Sequence, residues 1–164
     1  MIVHPIPPVF DSNSRILILG SFPSVKSREE GFFYGHPNNR FWRVLAAVFD
    51  EEVPRTIDEK KAFLLRNRVA VWDVIGSCDI EGSADSSIKN VSVNDLSVIL
   101  GRADIKKIFV NGKTAYNYYR RYSEKSTSLQ AVCLPSTSPA NAAWTFERLV
   151  ERWAASIGPK EVLP

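Results

Sequence analysis

Residues 15–20 read Arg15-Ile16-Leu17-Ile18-Leu19-Gly20 and run directly into Ser21-Phe22-Pro23. Four aliphatic residues in a row with no polar alternation describe a strand covered on both faces. The glycine and proline that follow end it in turn chemistry. The same design recurs as RVAVWD at 68–73, KIFVNG at 107–112 and QAVCLP at 130–135. Strands buried on both faces belong to parallel sheets, and the crossovers that join them supply the covering helices.

Helical patterns fall between these runs. Phe41, Val44, Leu45 and Val48 share one face near 40–49, and 57–65 reads as a second helix. Ser92 and Asp95 are expected to form a capping box before 96–100, and 112–122 reads as a fourth helix. Ser138, with Pro139 at the first helical position, is expected to open a fifth that carries Phe146, Leu149, Val150 and Trp153. The alternation predicts an α/β fold, a three-layer α/β/α sandwich on a central four-stranded parallel sheet. No repeat or linker composition interrupts it, so one domain is expected over the 164 residues, with its core at about 14–156. Residues 4–8 and 158–164 read as arms, ordered to frayed. The stretch after Asp73, with Gly76, Gly82 and the polar run from Ser83 to Asn90, reads as a loop.

Composition removes several classes. Hydrophobic residues at 45% and charged residues at 24% suit a globular core and exclude a disordered chain. Cys78 and Cys133 are far apart, and His4 and His36 are the only histidines, so no zinc, iron–sulfur or disulfide framework is expected, and no cofactor. No apolar run approaches the ~20 residues of a membrane span, and the first residues lack a secretory pattern, so a cytoplasmic protein is expected. Gly112-Lys113-Thr114 imitates the end of a P-loop, but the motif's first glycine would fall on Lys107 inside a strand. No GxGxxG is present either.

The charge balance is 21 basic to 18 acidic residues, or +3. The excess gathers in 106–125, where Lys106, Lys107, Lys113, Arg120, Arg121 and Lys125 face only Glu124 and interleave with Tyr116, Tyr118, Tyr119 and Tyr122. Basic residues among aromatics make a nucleic-acid surface, and equally a solvated helix face with half-buried tyrosines. Ligands of open parallel sheets bind at the carboxyl ends of the strands. Four loops meet there: 21–39, the stretch after Asp73, the turn opened by Asn111, and 134–139. The first is long enough, at that length without structure, to be functional.

Three stretches now carry a resemblance. Gly20-Ser21-Phe22-Pro23 is similar to the first motif of the uracil-DNA glycosylase superfamily. His36-Pro37-Asn38-Asn39-Arg40-Phe41-Trp42 resembles the block found in its mismatch-specific and hypoxanthine-specific branches. Leu134-Pro135-Ser136-Thr137-Ser138-Pro139 resembles the second motif, a Pro-Ser loop that grips DNA. Within the superfamily the chain looks most like the hypoxanthine-DNA (deoxyinosine) glycosylase branch. Uracil enzymes of that family carry Asp or Asn at the place of Phe22, and often His or Asn at the place of Leu134. Neither residue here can activate water or hold a leaving-group oxygen.

The resemblance implies a monofunctional DNA glycosylase acting as a monomer on damaged DNA, with no metal and no membrane. Its expected substrate is hypoxanthine, and its expected catalytic residue Asn39. A uracil- or mismatch-specific enzyme, a lyase using Lys113 or Lys26, and a non-catalytic nucleic-acid-binding domain are the other readings. Breaking an N-glycosidic bond builds positive charge on the sugar, so the site must hold a water near C1′ and stabilise charge leaving into the base. An Asn amide can accept from that water. Asn39 can equally be a helix N-cap, with Asn38 its competitor. A flipped base needs aromatic walls and a polar edge reader. Ser21, Phe22, Pro23, Phe33 and Tyr34 are the candidate walls, or else a cluster that anchors the loop. Asp73 is the candidate reader, or else a cap or ion-pair member, and Trp72 beside it belongs to the core. DNA contacts are expected from Lys113, Pro135, Ser136, Thr137 and Ser138, the last three at a helix N-terminus that would bind phosphate.

Overall fold

The computed structural model describes residues 1–158; the rest of the expected C-terminal arm lies outside the described residues. In chain order the strands are β1 (Ile2–Val3), β2 (Ile16–Gly20), β3 (Val69–Asp73), β4 (Ile75–Asp79), β5 (Lys89–Val93), β6 (Lys107–Asn111) and β7 (Ala131–Leu134). The helices are α1 (Val25–Glu30), α2 (Phe41–Phe49), α3 (Ile57–Arg66), α4 (Ser97–Leu100), α5 (Lys113–Tyr118), α6 (Glu124–Thr127) and α7 (Phe146–Ile157).

The four aliphatic runs form one parallel sheet in the order β3-β2-β6-β7. Every residue of β2 and β3 is buried, as a sheet covered on both faces requires. Helices α3, α5 and α7 pack on it, and α2 packs on α7. The chain leaves β2 toward β3 at one edge and then crosses back to β6 on the other side of β2. That reversal opens a crevice between the carboxyl ends of β2 and β6. The parallel register sets Gly20 beside Asp73 and Asn111 beside Leu134, so all four strand ends meet at one edge.

A second, antiparallel sheet of order β1-β4-β5 replaces the loop expected after Asp73. Its strands IGSCD and KNVSV hold Gly, Ser, Asn and Asp, residues of low strand propensity, so the pattern was not visible locally. Pairing partners and a small apolar cluster of Phe22, Ile75, Cys78 and Ile88 hold it instead. Ser92 therefore lies in β5 and forms no capping box. The Asp95 carboxylate alone accepts from the Ser97 N–H at 3.0 Å ahead of α4. The long 21–39 loop also contains structure, since Ser24 accepts from the Ser27 N–H at 3.1 Å and caps α1.

The final helix starts later than expected. Residues 138–144 are not helical, because the Arg40 guanidinium takes the carbonyls of Ser138, Asn141 and Trp144. A helix would have used those acceptors internally. Thr145 is the N-cap of α7, accepting from the Arg148 N–H at 3.2 Å. The expected 112–122 helix runs on past α5 as a five-residue π-helical stretch, Tyr119–Ser123, into α6. This widening buries Tyr119, whose hydroxyl bonds the Leu129 carbonyl at 2.6 Å. Trp153 of α7 is fully buried and donates its indole N–H to the Pro135 carbonyl at 2.9 Å, fixing the loop after β7.

Replacing Thr145 by Ala should lower stability by about 1 kcal/mol through the lost cap. Thermal melting of the variant tests this, and an unchanged melting temperature would put the helix start elsewhere.

Candidate active site

A cavity of about 390 Å³ opens at the carboxyl edge of the parallel sheet. That is the size of a small-ligand pocket. Its floor is set by Gly20: a Cβ there would lie 2.5 Å from Asp73 Oδ1 and 3.0 Å from the Tyr34 hydroxyl oxygen. The missing side chain is what lets a carboxylate and a phenol approach the same strand end.

Asp73 is buried, and the N-terminal arm explains how. The His4 backbone N–H donates to the Gly76 carbonyl at 2.8 Å, so the arm docks on β4 instead of fraying. His4 Nδ1 accepts from the Ile6 N–H at 3.2 Å, which places the ring proton on Nε2. Nε2 then donates to Asp73 Oδ2 at 2.7 Å. One carboxylate oxygen is thus held from behind, and Oδ1 remains at the cavity floor. The partnered and the base-reading roles expected of Asp73 are compatible. His4 was missed as a site residue because nothing near it in sequence announces a partner 69 positions away.

Tyr34 forms one wall. It sits at φ +52°, a left-handed conformation that costs an aromatic residue of order 1–3 kcal/mol. Its ring stacks on Phe41 at 3.9 Å between centroids, which holds the strained residue in place. Its hydroxyl is buried without a hydrogen-bond partner among the described residues. Burial, aided by the Asp73 charge, pushes its pKa far up, so it stays a neutral donor. Phe33 is buried beside it and also lines the cavity. Ser21, Phe22 and Pro23 line it as well. Phe22 has a second job, for it is buried in the cluster that carries the antiparallel sheet and meets the His4 ring edge-on at 5.8 Å. Trp72 is buried away from the cavity, its indole donating to the Ile6 carbonyl, as expected of a core residue.

The orientation of Asn39 follows from a chain of donors. The Thr137 backbone N–H is a donor, so the Asn111 atom it meets at 3.0 Å is the amide oxygen. The Asn111 NH₂ then donates to Thr137 Oγ1 at 3.0 Å. The Thr137 hydroxyl proton is left to point at Asn39, 2.8 Å away, and the atom it meets is Oδ1. The Phe41 N–H donates to the same oxygen at 3.0 Å. Both lone pairs of Oδ1 are filled, and the amide NH₂ is the part of Asn39 available to the cavity it lines. Asn39 therefore stands one residue before Arg40, the N-cap of α2, takes the N–H of the helix's first residue on its oxygen, and presents a donor. This corrects two expectations. The amide cannot accept from a water, and Asn38 is not the cap, since it is exposed and uses only its backbone N–H, on His36 Nδ1 at 3.1 Å.

The expected DNA-contact residues divide. Thr137 is fully buried, with its N–H, hydroxyl and carbonyl all engaged, so it positions Asn39 and cannot meet a phosphate. Ser138 is not at a helix N-terminus. Its N–H bonds Ser136 Oγ, and its own Oγ accepts from the Ala140 N–H. Pro135, Ser136 and Ser138 do border a second hollow with Lys113, Trp144 and Arg152, next to the main cavity. The basic run splits as well. Lys107 opens β6 while Lys113 follows it, so Lys106 and Lys107 stand at the far end of a strand ~13 Å long. Arg120 and Arg121 lie over the rings of Tyr116 and Tyr122. Lys26 pairs with Glu30. Sequence reasoning also passed over Asp85, in a 3₁₀ turn after β4. It lines the cavity and accepts from the Ser21 hydroxyl at 3.2 Å. Among the described residues no cluster of His, Cys, Asp and Glu could hold a metal ion, and no helix is long and apolar enough to cross a membrane.

The sequence pattern of the Uracil DNA glycosylase superfamily matches residues 7–156, and the chain belongs to that superfamily. Two relatives narrow the comparison. A hypoxanthine DNA glycosylase of Methanosarcina acetivorans is 36% identical over 157 residues, covering 94% of this chain and 98% of the relative. One from Methanosarcina barkeri is 37% identical over 114 residues, covering 68% and 72%. The solution NMR structure of a candidate uracil DNA glycosylase from Methanosarcina acetivorans superposes with a TM-score of 0.79. It is 32% identical and covers 99% of this chain and 97% of its own.

His4→Ala should cost about 2 kcal/mol, because a buried carboxylate loses a hydrogen bond. Urea denaturation measures it; stability equal to the parent would mean that the arm does not hold Asp73.

Proposed function

We propose that the protein is a DNA glycosylase that hydrolyses the bond between hypoxanthine and deoxyribose. The observation that carries the reading is the pairing, in one cavity, of a fixed amide donor with a carboxylate oxygen at the floor. Hypoxanthine offers a donor at N1–H that adenine lacks. Asp73 Oδ1 accepts that proton donor, and a purine stacks on the Tyr34 ring, which Phe41 backs. Selection against adenine then follows from a buried carboxylate left facing an acceptor, which costs far more than a weak contact.

The Asn39 NH₂ is the catalytic donor. As the C1′–N9 bond breaks, negative charge develops on the purine, and a donor fixed by the Asn111–Thr137–Asn39 chain meets it without reorganising. The relatives named hypoxanthine DNA glycosylases support the same substrate. A lyase route has no observation in its favour, since neither Lys26 nor Lys113 lines the cavity. DNA approaches over the second hollow, where Lys113 and Arg152 stand at its rim.

Duplexes carrying one hypoxanthine, uracil or xanthine, incubated with the protein and cleaved by alkali, should report hypoxanthine released fastest. Release of uracil alone would move the assignment to another branch. On the hypoxanthine duplex, Asn39→Ala should slow single-turnover cleavage by about 10²–10³. Asn39→Asp keeps both bonds of Oδ1 and removes the donor, so it should lose as much rate while melting like the parent. A fast Asn39→Asp enzyme would mean that an acceptor is needed there. Lys113→Ala should reduce the slope of log K against log salt by about 1, and Lys106→Ala should leave it unchanged. Equal slopes for the two variants would remove the second hollow from the DNA path.

A further inference from the structure

The donor role of Asn39 leaves the hydrolysis without a group that accepts the water's proton. Phe22 stands at the position where uracil enzymes of the resembling family carry a carboxylate or amide. Three titratable side chains line the cavity with a basic atom to offer: Asp73, His36 and Asp85. Asp73 lies at the floor, where the edge of the base enters, with one oxygen held by His4. His36 accepts the Asn38 N–H on Nδ1, so its neutral ring carries its proton on Nε2 and has no lone pair left for a water. Asp85 remains.

Its position suits the task. It borders both the cavity and the adjoining hollow, and so stands at the junction between the two. On the reading proposed above, with the base in the cavity and the phosphates outside it, C1′ falls between them at that junction. One carboxylate oxygen accepts from the Ser21 hydroxyl at 3.2 Å, which orients the group toward the end of β2. A carboxylate on the path of a polyanion weakens binding through like-charge repulsion, and its presence there calls for a gain in chemistry.

We propose that Asp85 is the general base of the glycosylase reaction, taking a proton from the water that attacks C1′. The proposal rests on the hypoxanthine-glycosylase reading above. The water oxygen forms a bond to C1′ while the C1′–N9 bond breaks and its electron pair passes to the purine. The water's proton goes to Asp85. The purine anion, held by the Asn39 N–H, takes up a proton from solvent, and Asp85 returns its own to solvent. The oxocarbenium character of the sugar also gains from the nearby negative charge before the proton moves.

The charged and titratable surroundings of Asp85 are mixed. Asp73 and His36 share the cavity, Cys78 and Tyr118 feel its charge, and Lys113 and Arg152 line the hollow beside it. Asp85 is exposed as a residue, but partial desolvation at the cavity mouth and the Asp73 charge raise its pKa against the hydroxyls of Ser21 and Thr114, which lower it, and the net shift is upward. The acid limb of the rate, where Asp85 becomes protonated and cleavage falls, therefore lies above the ordinary aspartate range. The raised pKa also means that folding disfavours the charged form, so this group subtracts stability as pH rises through that window.

The test is Asp85→Asn, which keeps the hydrogen bonds and removes the base. Single-turnover cleavage of a hypoxanthine duplex should fall by about 10² at neutral pH, and the acid limb of its pH–rate profile should flatten. Affinity for the same duplex should stay equal or tighten, and melting should match or exceed the parent. Cleavage at the parent rate, or an unchanged acid limb, overturns the proposal. Failure of the parent protein to release hypoxanthine would instead overturn the substrate reading, and the two results are distinguishable on one set of duplexes.

Discussion

The buried hydroxyl of Thr137 is the joint on which the site turns. It takes a hydrogen bond from Asn111 at the end of β6 and gives one to Asn39 at the start of α2. Two loops and two secondary elements are thereby held in one register, and the donor face of Asn39 is decided by where a single proton can go. Thr137 is fully buried between two half-buried asparagines, and a buried polar group in such a chain is costly if it goes unsatisfied. Here every hydrogen-bonding atom of Thr137 is engaged, and the Asn39 NH₂ is left to the cavity. The Arg40 clamp on the 138–144 segment and the Trp153 bond to Pro135 brace the same loop from its far side.

The electrostatics of the cavity are unusual for a surface that meets DNA. Two carboxylates line it, while the basic residues stand outside. One of the two, Asp73, is held from behind by the His4 ring N–H, which leaves its other oxygen to meet a donor on a bound base. The other, Asp85, stands where the cavity meets the adjoining hollow. In the proposed mechanism this division separates recognition at the floor from chemistry at the mouth, and Phe22 of the first motif serves as structural mass. That phenyl ring joins the second sheet to the cavity wall, a mechanical role that Asp or Asn at the same place could not fill.

The aliphatic runs, their order and the carboxyl-edge position of the three motif loops were legible in the amino-acid sequence. Uninterrupted Ile, Leu and Val over four or five residues leave few alternatives to a doubly covered strand. The block from His36 to Trp42 and the run from Leu134 to Pro139 pointed to the superfamily through residue types alone, and Asn39, Tyr34 and Asp73 do line the cavity. Those readings needed only local information.

What needed the tertiary structure was every statement about which partner a polar atom has. His4 and Asp73, Asn39 and Thr137, and Ser21 and Asp85 are separated by 69, 98 and 64 positions. No periodicity links residues so distant, and each pairing depends on the strand order that brings its members together. The antiparallel sheet was hidden because its strands lack the residues that favour strands and exist through their partners. The late start of α7 was hidden because the guanidinium that claims the carbonyls of 138–144 comes from another element. Sequence alone thus determined the kinds of residue present and the framework of buried strands. Folding decided that Asn39 donates and Thr137 supports it, because hydrogen-bond direction is a property of three-dimensional neighbours and not of residue type.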